Sequence, residues 1–499
     1  MTGRSVLALD EGSSSARAVI FDDHGNPRGS ATRPIGAIFP QPGWVELDPS
    51  DLWNAPRDCI GEAMTAAGVT ARDIAVVGIT THRETIVMWD RKTGEPVYNA
   101  IMWMSKQTDD IVREWSERGF DEEFRTRTGV RNDSYFSAGK IAWLLRHVPG
   151  VRDRAERGEL AIGTPDVWLL WNLSGGTAHR IEPSAASRTA LLNIHSGTWD
   201  LELLEKLDIP LSLLPDIVPS VAHFGDVAPG VLPGDALSPI PIAAMLGDQQ
   251  AGLFGQACLE AGTAKNTFGT AGVLTVNVGT SPAIIDGLSS SVAWKLDDTL
   301  TYEAEGVVFH SGQTVQWMRD KLRLFASSQD VEPLAQTVAS NGGVYVVPAF
   351  AGLCDPYWDR DVRAAIMGLT LATEAGHIAR ATIESLAYQT RDNVQQLAAG
   401  GRDISVLRVD GGASSNNLLC QFQADILGIT VARPEGLERT VLGIAHLAGS
   451  YVGLWEVSDI SARWTLERTF EPLMSADERE SLYAGWREAV AAARSLPAR

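Results

Sequence analysis

Asp10 closes an apolar run, VLALD at residues 6–10, and a turn follows with Gly12, Ser13, Ser14 and Ser15 before Arg17. Hydroxyls and turn amides of this kind can cradle phosphate. A guanidinium such as Arg17 meets a phosphate through two donors, and an acid such as Asp10 can hold magnesium directly or through water. The same stretch also reads as a plain polar hairpin. Asp248, in GDQQAGLFG, again follows an apolar run and precedes residues at helical spacing, with Gln249 beside it. An acid there serves either as a helix N-cap or as a base that accepts a hydroxyl proton. Arg83 and Glu84 interrupt an apolar strand region in THRET. Opposite charges buried there need partners and could bind adjacent hydroxyls, whereas on the surface they form an ordinary ion pair. Trp103 and Tyr135 supply apolar faces that could close over carbon.

Two further turns, NTFGTAG at 266–272 and DGGASSNN at 410–417, are built of small residues that let backbone approach a ligand closely. The sequence has no G-x-x-x-x-G-K-[ST] loop, and no two glycines stand two apart, which excludes G-x-G-x-x-G. Nucleotide binding would therefore need another architecture.

The elements that would position these residues alternate between strand and helix. VLALD and ARAVIFDD read as a hairpin, and DPSDLWNAPRDCIGEAMTAAG as a helix capped by Asp48 or Ser50 and ended by Gly68. IAVVGIT at 74–80 reads as a buried strand. A strand, turn and helix return at 241–262 and again at 406–428, so the fold class is α/β. Residues 215–235 are rich in Pro and Gly and suggest a loop or short irregular strands. A chain of 499 residues exceeds one ordinary core, and the expected division falls between residues 1–250 and 251–499.

Composition narrows the partners. With 42 basic and 62 acidic residues the net charge is -20, which disfavours a polyanion such as nucleic acid but not a nucleotide. The four cysteines are scattered without a C-x-x-C pair, so neither a disulfide framework nor a zinc site is expected. Residues 1–5 lead straight into a strand-like run, and no stretch has membrane-spanning length. The expectation is a cytoplasmic protein that engages no membrane.

From LALDEG to LYAGWREA the chain resembles the FGGY carbohydrate kinase family. SYFSAGKIAWLLRH and AAIMGLTLATEAGHIARATIESLAYQTRD resemble the two family signatures. PGWVELDP, GITTHRETIVMWD, AKNTFGT, GVYVVPAF, PYWD and LRVDGGASSNN resemble the glycerol-phosphorylating branch. The resemblance implies two actin/hexokinase-like (ribonuclease H-like) ATPase domains flanking a deep cleft. It implies ATP with Mg2+, a small polyol substrate, and a homodimer or homotetramer. Arg83, Glu84, Tyr135, Asp248 and Gln249 would bind the polyol hydroxyls, and Trp103 would pack on its carbon face. Ser13, Ser14, Arg17, Thr270, Gly312, Gln316, Gly412 and Asn416 would contact the nucleotide. Asp10 would serve the metal and Asp248 would be the general base, converting glycerol to sn-glycerol 3-phosphate.

Departures from that pattern raise alternatives. Thr81-His82 precedes Arg83 where Asn-Gln is usual, and Val273 stands where an aromatic is usual, which suggests room for a four-carbon polyol such as erythritol or threitol, or another sugar of the family. Glu11 replaces Gln, and Cys354-Asp355 replaces Gly-Ala. A non-catalytic sugar-sensing protein on the same fold is the reading from a different class. The chain has neither an appended DNA-binding helix pair nor suitable cysteines for it.

Overall fold

Runs of seven or eight residues with one or both faces apolar become strands here, and their polar ends become the turns between sheet and helix. The computed structural model describes residues 4–236, 238–436 and 438–496, so the first three residues of the N-terminal reading lie outside it. β1 (Ser5–Glu11) and β2 (Ser15–Phe21) form the expected hairpin with Asp10 opposite Arg17, and β3 (Pro27–Pro34) continues it. α1 (Pro49–Ala67) begins where the Asp48 carboxylate accepts from the Ser50 amide at 2.8 Å and ends where Gly68 adopts φ 68°.

β4 (Ile74–Thr81), α2 (Ser137–His147) and α3 (Pro183–Ser187) follow. β5 (Val221–Asp226) falls inside the Pro- and Gly-rich stretch and lies at a sheet edge, where such composition is tolerated. β6 (Pro241–Gly247) then leads directly into α4 (Asp248–Gly255). The resulting six-stranded sheet has the order β5-β6-β4-β1-β2-β3, with β1, β4 and β6 parallel.

A second, seven-stranded sheet is built from β7 (Ala264–Phe268), β8 (Gly272–Gly279), β9 (Ser289–Leu296) and β10 (Thr299–Val308), then, after α5 (Gly312–Trp317) and α6 (Ala375–Ala399), from β11 (Val406–Asp410). α7 (Asn417–Leu427), β12 (Thr430–Pro434), α8 (Arg439–Tyr451) and β13 (Leu466–Phe470) complete it. Its order is β9-β10-β8-β7-β11-β12-β13, with β7, β11 and β12 parallel. Both sheets thus carry an antiparallel unit whose first strand runs parallel to the next two, so one architecture occurs twice.

α8 joins the two halves. Ile444, Ala445 and Ala448 pack with Val6, Ala8 and Val76 of the first sheet and with Ala251 and Phe254 of α4. The helices touch backbone to backbone. A Cβ at Gly255 would stand 2.0 Å from the Arg439 carbonyl oxygen, and one at Gly443 2.1 Å from that of Ala251. All four cysteines are buried free thiols. No helix among the described residues is long and apolar enough to cross a membrane.

One part-buried histidine makes stability depend on pH. His179 lies edge-on to Trp89 at 5.5 Å, with Arg91 3.1 Å from Nδ1 and the Ile162 carbonyl 2.9 Å from Nε2. Nδ1 accepts from the guanidinium and Nε2–H donates to the carbonyl, which fits only the neutral ring. Burial pushes its pKa down from 6.5 to about 4. Between those values the unfolded chain binds a proton that the folded chain excludes, so stability falls as pH is lowered through the window. Urea midpoints at pH 7 and pH 5 check this: His179→Gln should flatten the difference, and an equal slope in both proteins would contradict the assignment.

Candidate active site

Three parallel strands end side by side, and their registers fix the site. Glu11 and Gly247 both pair with Thr81, so Asp10, Arg83 and Asp248 leave the carboxyl ends of β1, β4 and β6 together. Ligands of open α/β sheets bind at this edge. Arg83 Nε lies 3.3 Å from Asp248 Oδ1, the arginine side chain being 3% exposed and the aspartate 25%. Asp248 therefore combines a buried cation at its side with access to solvent. Burial and then the neighbouring Asp248 push Asp10 up to about 7, opposed by Arg17.

The first turn is closed by the Gly12 amide donating to the Ser15 carbonyl at 2.9 Å, and Ser13 Oγ accepts from Trp103 Nε1 at 2.8 Å. Arg17 reaches Glu438 just before α8 and donates to Thr32 Oγ1 at 3.3 Å. Among the described residues, no cluster of three or more His, Cys, Asp or Glu gathers as a metal cage. A single carboxylate such as Asp10 fits Mg2+, which binds through one or two carboxylates plus phosphate oxygens.

Arg83 and Glu84 do not pair with each other. Arg83 turns to Asp248 and Glu305, while Glu84 accepts from Arg188 Nε at 2.5 Å. Glu84 has the left-handed φ of 65°, a strained conformation that aims two successive charges at one place. Burial raises its pKa, and Arg188 and Arg83 pull it back. Trp103 and Tyr135 stand 5.5 Å apart at 67°, a right-angled corner of aromatic surface. Lys140 of α2 ties down the approach to that corner, donating to the carbonyls of Ser134, Tyr135 and Phe136 at 2.7, 2.7 and 3.0 Å. Gln249 accepts from Lys265 Nζ at 2.5 Å.

The remaining expected residues gather at the matching edge of the second sheet. Thr267 pairs with Asp410, so the turns after β7 and β11 emerge together. Gly312 donates to the Gly269 carbonyl at 2.9 Å and Ser311 to that of Thr270 at 3.0 Å, which joins the start of α5 to the first turn. Gly411 has φ 83°, and a Cβ there would stand 2.6 Å from the Phe268 carbonyl oxygen. Gly412 and Gln316 are exposed, and Asn416 caps α7 by accepting from the Leu419 amide at 2.9 Å. Ser13 and Ser14 lie in the turn between β1 and β2 and Arg17 lies on β2, so the residues expected at the nucleotide come from both halves.

The departures have physical explanations. His82 turns away from Arg83, its Nδ1 lying 3.2 Å from the Glu11 carbonyl, and burial lowers its pKa. Glu11 is buried with both carboxyl oxygens unpartnered, and burial followed by Asp166 raises its pKa well above the usual range, which favours the protonated carboxyl, a near-isostere of Gln. Val273 is 7% exposed and covered by Val307, Cys354, Phe309 and Trp358. Cys354 packs in the same small cluster as Val273.

Sequence reasoning passed over Arg188, Glu303, Glu305 and Lys265, all buried in this region. Burial and then Glu305 push Glu303 up, while Arg188 and Arg83 outweigh burial and hold Glu305 below the usual carboxylate range. Lys265 donates to Gln249 and, at 2.7 Å, to Thr267 Oγ1.

Two like sheets, with acids at the ends of their parallel strands and small-residue turns between, define a phosphotransferase fold. The FGGY family of carbohydrate kinases matches through its N-terminal domain at residues 5–255 and its C-terminal domain at 264–451. The chain belongs to that family. Its relatives include the glycerol kinase of Halorhodospira halophila, 49% identical over 98% of this chain and 96% of the relative. The glycerol kinase of Symbiobacterium thermophilum is 48% identical over 99% of both. Among solved structures, Plasmodium falciparum glycerol kinase with ADP superposes with TM-score 0.90 at 31% identity, covering 98% of each chain. The expected family and two-domain α/β fold hold.

Proposed function

We propose that the chain transfers the γ-phosphoryl group of ATP to a terminal hydroxyl of a small polyol, glycerol first, giving sn-glycerol 3-phosphate. The observation that carries this is Asp248, part-exposed between Arg83 on one side and the Asp10 turn on the other. The glycerol kinases at 49% and 48% identity support glycerol as the substrate.

Arg83 and Glu84 bind neighbouring hydroxyls as donor and acceptor, while Trp103 and Tyr135 pack against carbon. Gln249 binds a further hydroxyl. Asp248 takes the proton of the hydroxyl that attacks, and its contact with Arg83 keeps the carboxylate aimed. Phosphoryl transfer asks little more than in-line placement and charge neutralisation. Ser13, Ser14 and the turn amides hold phosphate oxygens, and Arg17 does so on exchanging Glu438 for phosphate. Mg2+, held at Asp10, would neutralise phosphate charge when bound. Thr270, Gly312, Gln316, Gly412 and Asn416 receive the rest of the nucleotide. We place the division between the two working halves at residue 250, and the enzyme in the cytoplasm as a homodimer or homotetramer.

A coupled assay of ADP release over glycerol, erythritol, D- and L-threitol, xylitol and pentuloses tests the reading. With Val273 covered, kcat/KM for glycerol should exceed that for the four-carbon polyols by about 10- to 200-fold, the range one methylene contributes. A four-carbon preference would move the substrate and keep the chemistry. No turnover of any polyol would overturn the proposal.

A further inference from the structure

Behind the polyol-facing groups runs an unbroken chain of buried charges. Asp248 Oδ1 lies 3.3 Å from Arg83 Nε, and Arg83 Nη1 lies 2.7 Å from Glu305 Oε2. Glu305 Oε1 lies 2.8 Å from Arg188 Nη2, and Arg188 Nε lies 2.5 Å from Glu84 Oε1. Arg83, Glu84, Arg188 and Glu305 have side chains 3%, 2%, 0% and 0% exposed. Glu305 belongs to β10 of the second sheet; the other four belong to the first half of the chain. Arg188 Nη1 also reaches the second sheet, donating to Ser291 Oγ at 2.9 Å.

We infer that Glu305 and Arg188 are positioning residues for the polyol, setting the orientation of Arg83 and Glu84 across the junction of the two halves. This rests on the reading of Arg83 and Glu84 as polyol ligands. Arg188 is engaged at Nε, Nη1 and Nη2, whereas Arg83 presents Nε and Nη1 to the network, and among the described residues its Nη2 has no hydrogen-bond partner and is not sealed from solvent. Glu84 commits Oε1 to Arg188 and keeps Oε2 likewise free. One donor and one acceptor are thus left for a ligand, and Glu305 holds the two guanidinium groups through one charge contact each, 2.7 Å to Arg83 Nη1 and 2.8 Å to Arg188 Nη2.

Stability alone does not account for such a network, because buried ion pairs gain little over apolar packing of the same volume. A role in geometry does. Glu305 arrives from the second sheet, so the ligand pair takes its working orientation only when the halves are together.

Glu305→Gln keeps volume and an acceptor but removes the charge that holds both guanidinium groups. Steady-state kinetics should show KM for glycerol raised about 10- to 100-fold, the loss expected for a charge-assisted hydrogen bond, with KM for ATP unchanged. Arg188→Lys, which keeps charge and loses the fork, should move the same constant in the same direction, and Glu305→Asp should restore part of it. Glycerol KM at the wild-type value in Glu305→Gln and Arg188→Lys overturns the inference. So does unfolding of both variants in far-UV circular dichroism, or a parallel rise in both KM values, since either marks a merely structural role. A wild-type protein that phosphorylates no polyol removes the functional reading itself, an outcome distinct from unchanged variants of an active enzyme.

Discussion

Asp248→Asn should lower kcat for glycerol phosphorylation by about 100- to 10,000-fold, the range a positioned general base contributes, with ATP binding retained. The amide matches the carboxylate in shape and keeps an oxygen toward Arg83 Nε, so the partner 3.3 Å away is not orphaned. What the amide cannot do is accept the proton that leaves the attacking oxygen. The loss belongs to the transition state and should appear in kcat and kcat/KM together, with little change in KM. Asp248 also stands first in α4, where an acid favours the helix N-terminus, so a small stability loss of about 0.3–1 kcal/mol accompanies the change. Rate measurements beside calorimetric ATP titration separate the two effects. A kcat within about tenfold of wild type would remove Asp248 from the chemistry, because that exceeds what a base-less site delivers.

The groups legible in the sequence share a signature: a polar residue that terminates an apolar run. Asp10 ends VLALD, Arg83 and Glu84 follow IAVVGITTH, and Asp248 follows PIAAMLG, each at the carboxyl end of a parallel strand. Strand and helix alternation was legible for the same reason, since apolar period and capping residues are local. Glu303 and Glu305 were not. In TYEAEGVV they alternate with Ala304, the pattern of a strand with one wet face, yet that face is buried against Arg83 and Arg188 of the other half. Arg188 sits just past a five-residue helix, PSAAS, whose small side chains announce nothing. Lys265 was in view within AKNTFGT but was read for its turn. Arg188, Glu303 and Glu305 owe their roles to partners more than 100 residues away, and periodicity carries no record of such pairing. Cys354, which packs beside Val273, lies 81 positions on (354 less 273), a pairing that periodicity does not record either.

Removing Arg188 tests what that hidden network is worth to the folded state. In Arg188→Met a flexible apolar side chain fills much of the volume, but Glu84 and Glu305 lose the cation 2.5 and 2.8 Å away. Glu305 is sealed and Glu84 turns only Oε2 toward solvent, so water cannot replace the cation at the two oxygens it leaves. Breaking a buried ion pair from one side costs about 3–5 kcal/mol, and at roughly 2–4 °C per kcal/mol for domains of this size the Tm should fall by about 6–20 °C. The remaining groups can relieve part of the loss by taking up protons, as burial already makes Glu303 do beside Glu305. The penalty should therefore shrink as pH is lowered, since a carboxyl whose folded pKa has risen is destabilising only above its unfolded value. Adding Glu84→Gln removes one stranded charge and should recover part of the Tm, whereas the same change in the wild type leaves Arg188 short of a partner and lowers it. A double-mutant cycle in Tm and denaturant midpoint measures the coupling directly. Additive losses would mean that Arg188 and Glu84 act independently, and the 2.5 Å contact would then carry no share of the stability.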